Sequence, residues 1–256
     1  MKTLIAFTKK EFMEQRRSGK MPFLTILFVV FGIMNPAIAK LTPWLMEMFA
    51  DSLAQSGMTV TAVTVTAMDS WVQFFKNIPM ALIAFVLLES SIFTKEYQTG
   101  TLILSLTKGL SRKAVVISKT IILSLFWTAG YWLCFCITYG YNAYFWDNSI
   151  AQNLLFACVS WWLFGLWILA LVVLFSCVFT SNSGVLLGTA GVALVTYLLS
   201  LLPKFGKYLP VKLADGNSLI YGIAETRDYF PSFIITAVVC IVCFITGIAV
   251  FNKKQL

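Results

Sequence analysis

Few side chains in this sequence are equipped for chemistry, and their types narrow what that chemistry is. No histidine occurs among the 256 residues. That removes imidazole acid–base catalysis, the Ser-His and Cys-His nucleophile pairs, and histidine ligation of zinc or haem. The six cysteines, Cys134, Cys136, Cys158, Cys177, Cys240 and Cys243, all fall in apolar stretches. Cys240-x-x-Cys243 brings two thiols toward one helix face, but a redox pair or metal site needs thiolates, which lipid disfavours. Packing is the plainer use of such residues, so neither a metal site nor a disulfide framework is expected. Glu89 is the carboxylate placed inside an apolar run. It either pairs with a basic residue at a gate or reaches water as a solvated carboxylate near the end of its helix. Trp127, Trp132, Trp161, Trp162 and Trp167 either stack on an apolar substrate or form belts at the membrane interfaces. No G-x-x-x-x-G-K-[ST] phosphate loop is present, so any ATP hydrolysis must occur on another polypeptide.

The elements that must position these residues are membrane helices. Hydrophobic residues make up 59% of the chain and charged residues 12%, about half the charged share of a soluble domain. The fold class expected is all-α integral membrane, one domain over residues 1–256. Six apolar runs each approach the roughly 20 helical residues that cross a bilayer: 22–40, 75–94, 114–138, 153–179, 184–202 and 231–251. Pro22 suits the first turn of its span. Residues 180–183 suit a tight turn between antiparallel helices. The net charge of +8 is a matter of sidedness and not a nucleic-acid signal. Lys2, Lys9, Lys10, Arg16, Arg17 and Lys20 precede the first span, Lys95, Lys108, Arg112 and Lys113 lie between the second and third, and Lys253 and Lys254 follow the last. Residues 41–73 and 140–152 carry no Lys or Arg, and the 203–230 loop, with Lys204, Lys207, Lys212 and Arg227 beside Asp215, Glu225 and Asp228, is the exception that the head and the second loop outweigh. Both termini are therefore expected on the cytoplasmic side of the membrane. The basic, apolar start and Ala37-Ile38-Ala39 match a cleavage site in part, but the long head with Glu11 and Glu14 argues for an uncleaved first span.

The connecting segments carry further signals. The head, residues 1–21, sorts as an amphipathic interfacial helix with Leu4, Ile5, Thr8 and Phe12 on one side and Lys9, Lys10, Glu14 and Arg17 on the other. Its basic residues suit anionic headgroups, making membrane lipid an expected partner. Residues 44–55 suit a short amphipathic helix at the outer interface, and Thr59 to Thr66 alternates as a strand or linker would. Asp69 is the expected N-cap of the second span. Asn35-Pro36 marks a kink or the outer end of the first span. Gly184, Gly188 and Gly191 open the fifth span with spacing that lets helices approach closely, either in a second copy or within one subunit. The 203–230 loop is rich in aromatic residues, so short helices dipping back toward the membrane are expected there. No internal repeat of the kind found in many secondary carriers is visible.

The segment 95–113 contains Leu102 to Leu106, too short to span and too apolar for a solvated loop. Glu96 stands just after the second span, followed by Gly100-Thr101, the short apolar run, Ser111-Arg112 and Lys119 in the third span. This layout resembles the cytoplasmic loop of ABC-2-type transporter permeases, and the six-span plan and apolar last loop extend the likeness over nearly the whole chain. The resemblance implies a coupling helix that docks on a cytosolic ABC ATPase, with re-entrant helices before the sixth span. Carried over, Glu96, Tyr97, Gly100, Thr101, Leu102, Ile103 and Leu106 are the ATPase-coupling residues. Glu96, Gly100 and Thr101 set the loop, while Leu102, Ile103 and Leu106 form its buried side. Glu89 is the candidate cytoplasmic gate. The resemblance also implies a permease dimer, with the second copy identical or related, no cofactor on this chain, and ATP and Mg on the partner. The favoured reading is the permease of an exporter, and the shortage of ionisable groups in the spans favours a hydrophobic or amphipathic cargo such as a peptide, lipid or drug over small ions. An ATP-independent carrier or channel and an intramembrane enzyme are the alternatives.

Overall fold

The computed structural model describes residues 2–49, 64–107, 109–202 and 204–254, without the side chains of Lys2 and Ser105. The end of the 44–55 stretch, most of the alternating run from Thr59, and Lys108 lie outside the described residues. The described chain is helical, with no strand among those residues. In order it forms α1 (Lys2–Arg17), α2 (Lys20–Met48), α3 (Ala67–Glu89), α4 (Ser91–Gln98), α5 (Thr101–Thr107), α6 (Arg112–Phe145), α7 (Leu154–Val178), α8 (Asn182–Ser200), α9 (Gly216–Ile220) and α10 (Phe230–Lys253). Six segments are long and apolar enough to cross a bilayer: α2, α3 with α4, α6, α7, α8, and α10 with the turn before it. The protein is an all-α multi-pass membrane protein.

The helix ends differ instructively from those the sequence suggests. The first span does not stop at Lys40 but runs on through Pro43 to Met48, about 43 Å of helix. The outer amphipathic stretch is therefore its continuation and not a separate helix as far as Phe49. Lys40 is tolerated because its ammonium lies 3.7 Å from the centre of the Phe145 ring, a cation–π contact. The second span starts eight residues early. Its N-cap is Thr66, and Asp69 serves as the third residue of a capping box, accepting from the Thr66 amide at 2.8 Å. In the turn after α7, Ser181 caps α8, its Oγ accepting from the Gly184 amide at 3.2 Å.

Pro36 lies within α2, where its missing amide leaves the Gly32 carbonyl without a helical donor. Thr138 of α6 supplies one: its Oγ1 donates to Gly32 O at 3.0 Å. That hydroxyl accepts from Asn35 Nδ2 at 3.1 Å, and Asn35 Oδ1 accepts from Asn77 Nδ2 of α3 at 2.9 Å. One proline is thus absorbed by a polar relay across three spans.

α7 is the most enclosed span, packed chiefly by α10, α8 and α6. Trp127, Trp161 and Trp167 are buried in this core, and Trp132 and Trp162 are half-buried. For Trp127, Trp161 and Trp167 the lipid-facing belt reading is corrected: their rings fill space between helices, and Trp127 Nε1 donates to Trp162 O at 3.1 Å. The contact is possible only because residue 165 lacks a side chain, since a Cβ there would lie 2.2 Å from the Trp127 ring. At the end of the bundle away from both described termini, the last loop folds into short helices, Gly206–Tyr208, Pro210–Ala214, α9 and Thr226–Tyr229. Leu213, Leu219, Ile220 and Tyr229 are buried there. The Tyr229 hydroxyl donates to Asp215 O at 2.9 Å.

Candidate functional site

The opposite end of the bundle gathers α1, the start of α2, the end of α3, all of α4 and α5, the start of α6 and the last residues of α10. Most of the positive charge of the described chain meets here, and acidic side chains are built in among it. Lys119, only 1% exposed, sits inside α6 with its ammonium 2.9 Å from Glu11 Oε2 and 3.0 Å from Glu96 Oε2, and donates to Ile92 O at 2.8 Å. A buried cation persists only when it is paired and hydrogen-bonded in this way. Beside it, Lys10 Nζ lies 2.7 Å from Glu96 Oε1, 2.9 Å from Glu14 Oε2 and 3.0 Å from Glu11 Oε1. Partial burial works against the Lys10 charge, but Glu96, Glu14 and Glu11 outweigh it and hold the ammonium well above the ordinary lysine range. Glu11, Glu14 and Glu96 bring oxygens close enough for a metal ion, but the Lys10 ammonium already contacts all three carboxylates. The cluster is built around an ammonium group.

Glu89 ends α3 at 0% exposure. Gln15 Nε2 donates to its Oε2 at 2.7 Å and Lys20 Nζ lies 3.7 Å away, while Oε1 has no hydrogen-bond partner among the described residues. The solvated reading of Glu89 is corrected: α1 and the start of α2 cover it. Glu11 and Gln15, with Phe7, form the buried side of α1. The polarity sorting of the head is corrected accordingly. Lys9 lies on the same side as Ile5, Thr8 and Phe12, because residues four apart share a helix face.

After α4, Gly100 turns the chain with φ of +68°, which a side chain would strain, and α5 follows. The Thr101 hydroxyl lies 2.9 Å from that of Thr99. Leu102, 1% exposed, and the half-buried Leu106 pack inward, whereas Ile103 and Leu104 are 47% and 61% exposed. Ile103 therefore does not belong to the buried side: the step of one residue from Leu102 turns it about 100° round the helix, to the outer face with Leu104. Tyr97 donates from its hydroxyl to Ser176 O at 3.2 Å, near the end of α7. Two cations then bind helix ends. Arg112 Nη1 donates to Phe251 O and Asn252 O at 3.1 and 3.2 Å and to Lys254 O. Lys254 Nζ donates to Cys177 O, Val178 O and Phe179 O at 3.0–3.2 Å, and lies 4.3 Å from the Tyr97 ring centre. Both complement the negative end of a helix.

A second feature is a cleft of about 520 Å³ between α3, α7 and α8, lined by Leu82, Val86, Trp161, Ile168, Leu186 and Ala193 among others. Gly188 faces Phe175 of α7, where a Cβ would come within 2.8 Å of the ring, and a Cβ at Gly184 would meet Phe179 at 3.0 Å. These two glycines serve packing within the subunit, while Gly191 faces open space.

The sequence reading placed Lys119 and Glu96 near one another along the chain but missed Glu11, Gln15 and Lys254. A cation within an apolar span demands buried carboxylates, and that demand was the available signal for Glu11. Nothing local marks Lys254. A family model described as "ABC-2 family transporter protein" matches residues 5–218. The chain belongs to the ABC-2 family of transporter proteins. The matched range includes the ionic cluster, α5 and the cleft. An ABC-2 protein of this kind is a membrane subunit with no catalytic role of its own, and in ABC transporters ATP hydrolysis belongs to a separate subunit, so the intramembrane-enzyme alternative falls. The chain is also similar to the uncharacterized transmembrane protein YxlG of Bacillus subtilis (strain 168), with 26% identity across 94% of this chain and 93% of that one.

Proposed function

We propose that this chain is the permease of an ATP-driven exporter in a bacterial cytoplasmic membrane, working as a dimer with two cytosolic ABC ATPase subunits. The basic end then faces the cytoplasm, with both termini. The observation that carries the reading is α5. It holds itself to the bundle through Leu102 and Leu106 and offers Ile103 and Leu104 outward, and the α4 helix just before it is tied to α1 and α6 by the ion pairs of Glu96. An outward pair of aliphatic side chains on a rigidly backed short helix is what a docking partner needs. Closure of the ATPases would move α4 and α5, and the Lys119–Glu96 pair and the Arg112 and Lys254 contacts would pass that motion to α6, α7 and α10. Glu89, clamped by Gln15 and Lys20 at the inner end of α3, is the gate residue. The cargo is hydrophobic or amphipathic, because the cleft between α3, α7 and α8 is apolar throughout its lining apart from Thr189. The short helices before α10 act as re-entrant segments closing the outer side.

The test is co-purification of the permease with its ATPase. Ile103→Asp with Leu104→Asp is expected to abolish the complex while the permease alone remains folded and monodisperse. An intact complex with unchanged transport in that variant would refute docking through α5.

A further inference from the structure

A second apolar groove lies on the other side of the basic end, where α1 meets the flank of α6. It measures about 420 Å³ and is lined by Ile5, Thr8, Lys9, Phe12, Ile121 and Leu125 among others. α1 is pinned there by packing: the Thr8 and Ser118 hydroxyls are 2.9 Å apart, and the Phe12 and Phe126 rings are 5.8 Å apart. Lys9 is the charged group of the groove lining. It is exposed and makes no ion pair among the described residues, because Glu11, Glu14 and Glu96 are taken by Lys10 and Lys119. No acid lines the groove to cancel it. Ile5, Ile121 and Leu125 stay exposed beside it.

We infer that this groove is a binding site for one anionic phospholipid. α6 runs for 34 residues, about 51 Å, so its first turns stand at the headgroup level of a hydrocarbon layer about 30 Å thick. An acyl chain lies along Ile5, Phe12, Ile121 and Leu125, and the phosphate meets the Lys9 ammonium. A nucleotide or sugar would bring polar groups that an aliphatic wall leaves unsatisfied. A zwitterionic lipid brings a second ammonium against Lys9. The lipid completes the seat of α1, the helix whose inner side carries Glu11 and Gln15, whether or not the chain works with an ATPase.

The test uses the full chain in mild detergent, titrated with phosphatidylglycerol and phosphatidylcholine of identical acyl chains and read by native mass spectrometry. The first phosphatidylglycerol is expected to bind about fivefold more tightly than phosphatidylcholine. Lys9→Glu brings that ratio to about one, and Lys9→Gln, which adds no charge, lowers it too. Ile121→Trp, which fills the groove, weakens both lipids. Lys113→Glu, at an exposed lysine outside the groove lining, leaves the preference in place. Equal binding of both lipids by the native chain, or a preference that survives both Lys9 changes, overturns the site. So does an equal loss with Lys113→Glu, displacement by glycerol phosphate alone, or a second copy of the chain occupying the groove in place of lipid.

Discussion

Lys119 shows how one residue organises this end of the molecule. Its ammonium is enclosed and answered by Glu11 and Glu96, so removing it takes the cation from one oxygen of each buried carboxylate and leaves Lys10 to answer both. Lys119→Met is expected to destabilise the purified chain by about 3–5 kcal/mol, read as a lowered melting midpoint. Adding Glu11→Gln and Glu96→Gln should recover part of the loss, because neutral partners no longer need the cation. A further decrease in the triple variant would contradict the pairing. Thr138 is the other residue whose removal leaves orphans, the Gly32 carbonyl and the Asn35 amide. Thr138→Val should cost about 1–3 kcal/mol while Thr138→Ser is near neutral, and equal losses from both would locate the effect in packing. At the far end, burial works against the Asp215 charge, but hydrogen bonds from Ser218 and the nearby Lys212 outweigh it and hold the carboxyl below its usual range. A depressed carboxyl contributes stability that is present above its ordinary value and is lost as pH falls through the folded value. The melting difference between the native chain and Asp215→Asn should therefore shrink between pH 6 and pH 3, and a constant gap would assign Asp215 no ionic role.

Among the elements, α4 and α5 are held less by their own length than by what binds their ends. Arg112 ties the start of α6 to the end of α10, and Lys254 ties the residues after α10 to the end of α7 and to Tyr97. Arg112→Ala is expected to raise amide hydrogen exchange in residues 99–111 and 250–254 together while α2 and α3 are unchanged; exchange confined to one segment would separate them. The six spans were legible from apolar runs alone, because lipid admits little else. Their ends were not. Lys40 reads as the end of the first span and Pro36 as a kink or an end, yet the helix passes through both, since the Phe145 ring and Thr138 provide what the charge and the backbone lack. The buried side of α1 was misread for a related reason. Polarity sorting puts Leu4, Ile5, Thr8 and Phe12 together and gives Glu11 and Gln15 no place, and only the partners on α3 and α6, about 75 to 110 residues away in sequence, bring them inside.

For the whole molecule, α8 is the span least accounted for by its own subunit, with 11% of its most apolar window buried against 61% for α7. Leu187, Leu194 and Leu198 stand exposed along it, and Gly191 faces open space among them. Under the dimer reading, cysteines placed at Leu194 or Leu198 in a cysteine-free background should cross-link two copies in membranes, while cysteines at Val238 or Ile241 of α10 should not. The reverse pattern would move the interface to α10. The cleft between α3, α7 and α8 then opens toward the partner.

The close fit of the Trp127 ring over residue 165 also sets a rule for how relatives of this protein diverge. An indole and a bare backbone occupy one volume between α6 and α7, so neither position drifts alone. In sister sequences, an alanine or larger group aligned with 165 should arrive with a smaller side chain aligned with 127, and a lineage keeping tryptophan beside a bulky 165 would mean that the two helices stand farther apart there.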